Sequence, residues 1–355
     1  MAGFALYVLP LRFRNVHKWA NTPWPNIRPQ TRHLSKKKAQ HMSDPKSEII
    51  FHAYPQSPVA EKVRVAFGIK GLAWRSVEIP RLPPKPMLTA LTGGYRRTPV
   101  VQIGADIYCD SQCILRELER RQPLPTFMPT DDFGLMWCLS RWTDGFLFDQ
   151  TVRHILGSAG DKLDKDFAAD RGRLYLGEDW AQGLKKANAD LPHLVAQLRV
   201  PLTWLNAQMA DGRAFLLGAA PAAIDAQFYH LVWFLRGRWA DGPSFLAEFT
   251  NLSAWEENIR AIGHGTSSPM APEDAIARAK SHKPLAPTGV AAHDPQGLKV
   301  GLAVSVSPDV NGGEQPVFGT VRFADAETIV VERKADDVGT VCVHFPRSGY
   351  RVDVT

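Results

Sequence analysis

A chain of 355 residues, 45% hydrophobic and 22% charged, is too long for one small domain and suits two or three. Its composition is that of an ordinary globular protein, and no run of eighteen or more uncharged apolar residues marks a membrane span. The net charge of +6 suggests a nucleic-acid partner until it is located. Residues 1–43 hold Arg12, Arg14, Lys18, Arg28, Arg32, Lys36, Lys37 and Lys38 and no acid; removing those eight charges from +6 leaves −2. The basicity belongs to the tail, and no nucleic-acid binding is expected of the body.

Four cysteines, at 109, 113, 138 and 342, make no disulfide framework in a chain of this size. Cys109 and Cys113 lack a second Cys/His pair for a tetrahedral metal site, so free thiols in a reducing compartment are the plain reading. No nucleotide or metalloprotease motif is present.

In chain order, residues 1–47 show no sustained periodicity and carry Pro10, Pro23, Pro25 and Pro29. An Arg-rich, acid-free composition fits a mitochondrial presequence. Met42 as the true start, or a disordered basic tail, are the other two readings. Ile49 to Tyr54 reads as a strand. Ser57-Pro58 then opens a helix: Ser57 can cap it, and Pro58 at its first position gives up only an N–H that has no helical partner. Val59, Val63, Ala66 and Phe67 share a face that should pack on a sheet. Leu72 to Ile79 reads as a second strand, and the Pro- and Gly-rich stretch 81–97 as irregular with one short helix. Val100–Ile103 and Ile107-Tyr108 form a hairpin about Gly104-Ala105-Asp106, after which Asp110 caps a helix bearing Ile114, Leu115 and Leu118.

Residues 122–132 are a Pro-rich linker, and beyond it the period becomes helical: Leu135, Met136, Leu139, Trp142 and Phe146, then Ile224, Phe228, Leu231, Val232 and Leu235. Pro201 should break or kink the helix read over Leu191 to Met209. Trp255, Ile259 and Ile262 close the helical region, before a short helix over Pro272 to Ser281. After a second linker, the period switches to two over 298–306, 317–323, 328–332, 340–345 and 350–354, suggesting a small barrel or curled sheet. The stretch His344-Phe345-Pro346-Arg347-Ser348-Gly349-Tyr350 is distinctive, with no chemistry assignable to it.

The order strand, helix, strand, Pro-headed strand, hairpin, helix between Ile49 and Arg121 resembles the thioredoxin-like N-terminal domain of glutathione S-transferases of the serine type. Three matches carry the resemblance: Ser57-Pro58 after the first strand, Thr98-Pro99 before the third, and Asp110-Ser111 opening the last helix. It implies a thioredoxin-like domain over 48–122 and an all-helical domain over 130–282; with a basic extension over 1–47, a linker over 283–297 and a small all-β, barrel-like module over 298–355, read from composition and alternation and extra to the family plan, the chain is an α+β multidomain one.

The same resemblance implies glutathione as co-substrate, a small electrophile as second substrate, a homodimer, and neither metal nor nucleotide cofactor. A cytoplasmic detoxification enzyme follows, or a mitochondrial one if residues 1–41 are a genuine presequence. By itself Ser57 reads as a helix cap; the resemblance makes it the residue that activates the glutathione thiol, with Tyr54 at the end of the first strand as the alternative. No cysteine stands at 57, against the reductase-like types. The resemblance also assigns glutathione binding to Thr98, through its main chain before a cis Pro99, and to Asp110 and Ser111, which hold the γ-glutamyl end.

The chemistry is coherent. A thiol of ordinary pKa near 8.5 must be held ionised, and a hydroxyl at a helix N-terminus supplies both a donor and the positive end of the dipole. Lowering that pKa by about two units takes roughly 2.7 kcal/mol, within reach of a charge-assisted hydrogen bond and a helix terminus. Ala222-Ala223-Ile224-Asp225 departs from the family's Ser/Thr-x-x-Asp capping box by losing the hydroxyl, at a cost on the order of 1 kcal/mol. Trp137, Arg141, Trp142 and Phe146 are candidates to line an electrophile pocket; Lys62 and Arg64 should be solvated or at a dimer face. The alternatives are a non-catalytic interaction module of the same fold, or a glutathione-dependent isomerase or peroxidase.

Overall fold

The computed structural model describes residues 48–355 except Asp132 and 311–313; the basic extension over 1–47 lies outside them. Strand β1 (Ile50–Ala53) leads into α1 (Pro58–Lys70), whose cap is the expected one: Ser57 Oγ accepts from the Ala60 N–H at 3.2 Å, and Pro58 takes the first position. Gly71, at φ 60°, closes the helix in a left-handed conformation that costs glycine little. Strand β2 (Ala73–Glu78), α2 (Pro86–Thr92), β3 (Val100–Ile103), β4 (Asp106–Cys109) and α3 (Ser111–Arg121) follow as read from the sequence. β1 pairs parallel with β2 and antiparallel with β3, and β3 pairs antiparallel with β4.

Helices α4 (Phe133–Trp142), α5 (Phe148–Ala159), α6 (Lys165–Leu176), α7 (Trp180–Ala189), α8 (Leu191–Gln208), α9 (Ala223–Arg238), α10 (Gly242–Ala247) and α11 (Thr250–Ile262) build the helical part. A π turn at Thr143–Leu147 joins α4 to α5. α8 runs on through Pro201, which neither breaks it nor shortens it. In α4 the periodic apolar residues do form a helix, but of them only Met136 is buried; Leu135, Leu139 and Phe146 are exposed, because the inward face carries Met136, Ser140 and Thr143. Among the described residues no helix is long and apolar enough to cross a membrane.

α1 lies between the sheet and α9 and is buried almost all round. Its charged residues are therefore paired inside. Lys62 makes an ion pair with Asp144 and donates to Ser111 Oγ at 3.0 Å; Lys70 pairs with Glu119; Glu61 accepts from Arg64 at 2.6 Å and contacts His264 at 2.8 Å. The solvated position expected for Lys62 is thus wrong. The helical period marks one sheet-facing stripe, and only the docking of α9 covers the other side. Arg64 is half-buried, spanning Glu61 and the Tyr54 carbonyl.

α9 is the buried axis of the helical part, and Asp225 in its first turn carries the entry. The carboxylate accepts from the Ala222 N–H, the Leu216 N–H and the Trp255 indole, each at 2.8 Å. Ala222 has no acceptor to return the bond, so only the acidic half of the box survives, reinforced by two donors from elsewhere.

After β5 (Thr266–Pro269), which adds to the outer edge of β2, comes α12 (Pro272–Ser281). Then β6 (Gly289–Val290), β7 (Ala303–Pro308), β8 (Val317–Ala324), β9 (Thr328–Ala335), β10 (Gly339–Pro346) and β11 (Tyr350–Val354) appear near the expected bounds. They join the sheet of the first four strands. β10 pairs parallel with β4, Cys342 opposite Asp106 and His344 opposite Tyr108, so the sheet runs β11-β7-β8-β9-β10-β4-β3-β1-β2-β5 with β6 beside β8. The hairpin's β4 would otherwise present an unpaired edge. A single apolar core runs beneath this junction, from Ile50, Val77 and Ile107 to Val331, Val341 and Phe345.

Asp225→Ala strands three buried donors at once. Chemical unfolding should show a loss of about 3–5 kcal/mol; a loss under about 1 kcal/mol would mean that water or a rearranged turn satisfies them.

Candidate active site

The three loops singled out by sequence converge on one cleft of 690 Å³, within the range of small-molecule sites. Tyr54, Ser57, Thr98, Pro99, Asp110 and Ser111 all line it. The facing wall comes from the π turn, α5, α6 and the end of α9.

Ser57 is 2% exposed, and its oxygen takes the Ala60 N–H. Capping uses the hydroxyl as acceptor, which leaves its proton to donate into the cleft. The two readings of Ser57, cap and donor, are therefore compatible. Tyr54 is also there: its hydroxyl accepts from Arg171 at 3.4 Å, and Lys85 sits 5.5 Å from its ring centroid. Thr98-Pro99 is cis, and Thr98 Oγ1 accepts from Lys85 at 3.2 Å.

Asp110 caps α3 at φ 73° and ψ 136°, a strained conformation outside the left-handed helical well in which Asp is tolerated. Oδ1 accepts from the Gln112 N–H at 2.8 Å. Oδ2 accepts from the Tyr350 hydroxyl at 3.2 Å and lies 3.6 Å from Arg141. Tyr350 is bonded in turn to the Tyr95 hydroxyl at 3.0 Å, and burial pushes both phenols well above their ordinary pKa. Arg141 also holds Ser348. The stretch from His344 to Tyr350, to which the sequence lent no chemistry, thus reaches the cleft from the added strands. Its other end is anchored by His344, 2.8 Å from Asp106 and stacked on Tyr108.

Ser111 receives the buried ammonium of Lys62, itself paired with Asp144 of the π turn. Of the four suggested pocket residues, Phe146 lines the cleft; Trp137 packs against the core under Arg116, Trp142 lies on the core side, and Arg141 acts through Asp110.

Sequence reasoning missed Lys85, which stood in a stretch read only as irregular. It is 5% exposed, donates to the Arg96 carbonyl at 3.1 Å and to Thr98 Oγ1, and has no carboxylate in ion-pair range among the described residues. Burial, and then the nearby guanidinium groups of Arg171 and Arg96, bring its pKa down to about 7. A buried amine without a counter-ion beside the cleft is the mark of a site waiting for an anion. Among the described residues no cluster of His, Cys, Asp or Glu suits a metal ion.

Residues 51–126 match the family profile described as glutathione S-transferase, N-terminal domain. Among solved structures, a GST-like protein from Pseudomonas syringae is 33% identical, with a TM-score of 0.72; the match covers 87% of this chain and all of that one. The chain belongs to the glutathione S-transferase-like family. A beta-etherase from Sphingobium is 13% identical (TM-score 0.46, covering 60% of this chain and 98% of that one). A Tau class glutathione S-transferase from mango, Mangifera indica, is 15% identical (TM-score 0.43, covering 61% and 90%). A search of curated proteins returned no match.

If Lys85 is desolvated as described, isotope-edited NMR of the dimethylated lysines should show one resonance titrating near pH 7. All lysines titrating near 10.4 would contradict it.

Proposed function

We propose that the cleft binds glutathione and holds its thiol ionised for attack on a small electrophile. The observation that carries this reading is the meeting of Ser57, Thr98, Asp110 and Ser111 in one cleft, with a free hydroxyl proton at the head of α1. The tripeptide lies along the Thr98 main chain. Asp110 takes the γ-glutamyl ammonium, Ser111 and the N-terminal amides of α3 take its carboxylate, and Lys85 takes the glycine carboxylate. The thiol loses its proton to solvent, and the resulting thiolate accepts a hydrogen bond from Ser57 beside the positive end of α1. Sulfur then bonds to the electrophilic carbon as the bond to the leaving group breaks, and the leaving group departs with that electron pair.

The expected homodimer is supported by the apolar surface of α4, where Phe133, Leu135 and Leu139 are exposed. Detoxification is the role such an activity fits. A non-catalytic module of the same fold, with the C-terminal strands as its interaction surface, is the second reading; it is less favoured because those strands are built into the sheet and support Asp110.

Retention on glutathione resin together with turnover of 1-chloro-2,4-dinitrobenzene tests the proposal. Ser57→Ala should keep resin binding and lose about 10²-fold or more in kcat. Turnover unchanged in Ser57→Ala but lost in Tyr54→Phe would transfer the role to Tyr54; retention without any turnover would favour the non-catalytic reading.

Tyr350→Phe removes a donor from Asp110 without touching the ligand. Weaker glutathione binding by about 3–10-fold is expected, seen in KM for glutathione with kcat little changed; equal KM values would show that Arg141 and Gln112 suffice to hold Asp110.

A further inference from the structure

The charge that the tripeptide leaves unanswered bears on the second substrate, an argument that rests on the glutathione reading above. Seven Arg or Lys side chains line the cavity against three Asp. All three acids are engaged: Asp144 by Lys62, Asp149 by Arg153 at 2.6 Å, and Asp110 by Tyr350 and Gln112. Asp170, just behind the wall, is shared by Arg96 and Arg171.

Arg81 and Arg238 have no such partner. Neither has a carboxylate within ion-pair distance among the described residues: Arg81 lies on the Phe167 ring, 3.6 Å from its centroid, and Arg238 donates only to the Gly237 carbonyl at 3.1 Å. Arg171 approaches the same Phe167 ring at 5.2 Å and donates to the Arg81 carbonyl at 2.8 Å. Arg81 is exposed at its surface but partly desolvated on the ring, and that desolvation, opposed by Tyr54 and helped by repulsion from Arg171 and Arg238, lowers its pKa; Asp164 attracts it only from beyond ion-pair range. Arg81 and Arg238 are exposed and Arg171 is half-buried and paired with Asp170, so water screens part of their mutual repulsion, and an anion received among them would remove more of it.

The surface beside them is aromatic. Phe148 stacks with Phe234 at 6.5 Å and meets Tyr175 edge-on at 6.0 Å, and Phe146 extends the same wall. In the glutathione reading the tripeptide's two carboxylates go to Lys85 and to the head of α3, so neither needs this cluster.

We propose that the second substrate is a planar, apolar electrophile bearing a carboxylate or sulfonate, its anion received by Arg81, Arg171 and Arg238 and its body lying on Phe146, Phe148 and Phe234. Arginine suits this task because its planar fork meets two oxygens and stacks on an aromatic face.

The test is calorimetric titration of the full chain, saturated with S-methylglutathione, with 2-naphthalenesulfonate and its neutral counterpart 2-naphthalenesulfonamide. The sulfonate should bind about tenfold tighter at low salt, and the preference should shrink as ionic strength rises. The Arg81→Gln/Arg238→Gln double variant should lose most of the preference, and the Arg81→Lys/Arg238→Lys variant should keep part of it. Equal affinities for the two probes in the unaltered chain would overturn the proposal whether or not the variants fold. So would a preference that survives the double Gln substitution. A preference present in the empty protein but abolished by S-methylglutathione would also overturn it, giving the cluster to the tripeptide. If S-methylglutathione does not bind while the arginine-dependent preference holds, the glutathione reading falls and the anion site stands.

Discussion

The burial of α1 on both faces is the constraint on which the rest of the molecule turns. One side of the helix packs on β1 and β3, the other on α9, and only Val59, Arg64 and Gly68 along it are partly open to water. A helix that carries Glu61, Lys62 and Lys70 into such a position must bring their partners with it, since an unpaired buried charge costs several kcal/mol. Each partner does a second job. Asp144, which answers Lys62, belongs to the π turn that forms the facing wall of the cleft, and Ser111, which shares the same ammonium, heads α3. The ion pair therefore ties the sheet to the helices at the mouth of the site and fixes the distance across it.

A second tie runs the other way round the cleft. The added strands extend the sheet from β4, and their last hairpin returns Tyr350 to the Asp110 carboxylate. Without Tyr350, the Asp110 carboxylate at this strained cap would have one oxygen with, among the described residues, only Arg141 near it. The hydroxyl relay from Tyr95 through Tyr350 is buried and satisfied, and a fully satisfied buried network rigidifies what it touches. The C-terminal strands thus act on the site by orienting a residue, and they do so as part of the sheet that presents it.

The electrostatics of the cleft follow from the same architecture. Asp144 and Asp149 on its walls are spent on structural pairs, while Lys85, Arg81 and Arg238 have no carboxylate in ion-pair range among the described residues. An unpaired cation that is also buried is a cost to the empty protein, of the kind folded proteins carry where a ligand is to be bound. Lys85 shows this most clearly, since it gives up much of its charge near neutrality in the absence of an anion.

Local chemistry was written in the chain itself. Ser57-Pro58, Thr98-Pro99 and Asp110-Ser111 are short-range signals, a cap, a strand head and a second cap, each set by dihedral preference and hydrogen bonding within a few residues. The strands beyond 298 were legible for the same reason, in their alternation. What tertiary structure alone decided was which edges and faces would meet. The pairing of His344 with Asp106 spans 238 residues, and the ion pair that joins Lys62 to the π turn spans 82. Periodicity reports that a residue is on one side of an element but is silent on whether a second layer will close over the other. Lys85 lay beyond reach for that reason, because its missing counter-ion is a property of the finished cavity and of no stretch of sequence.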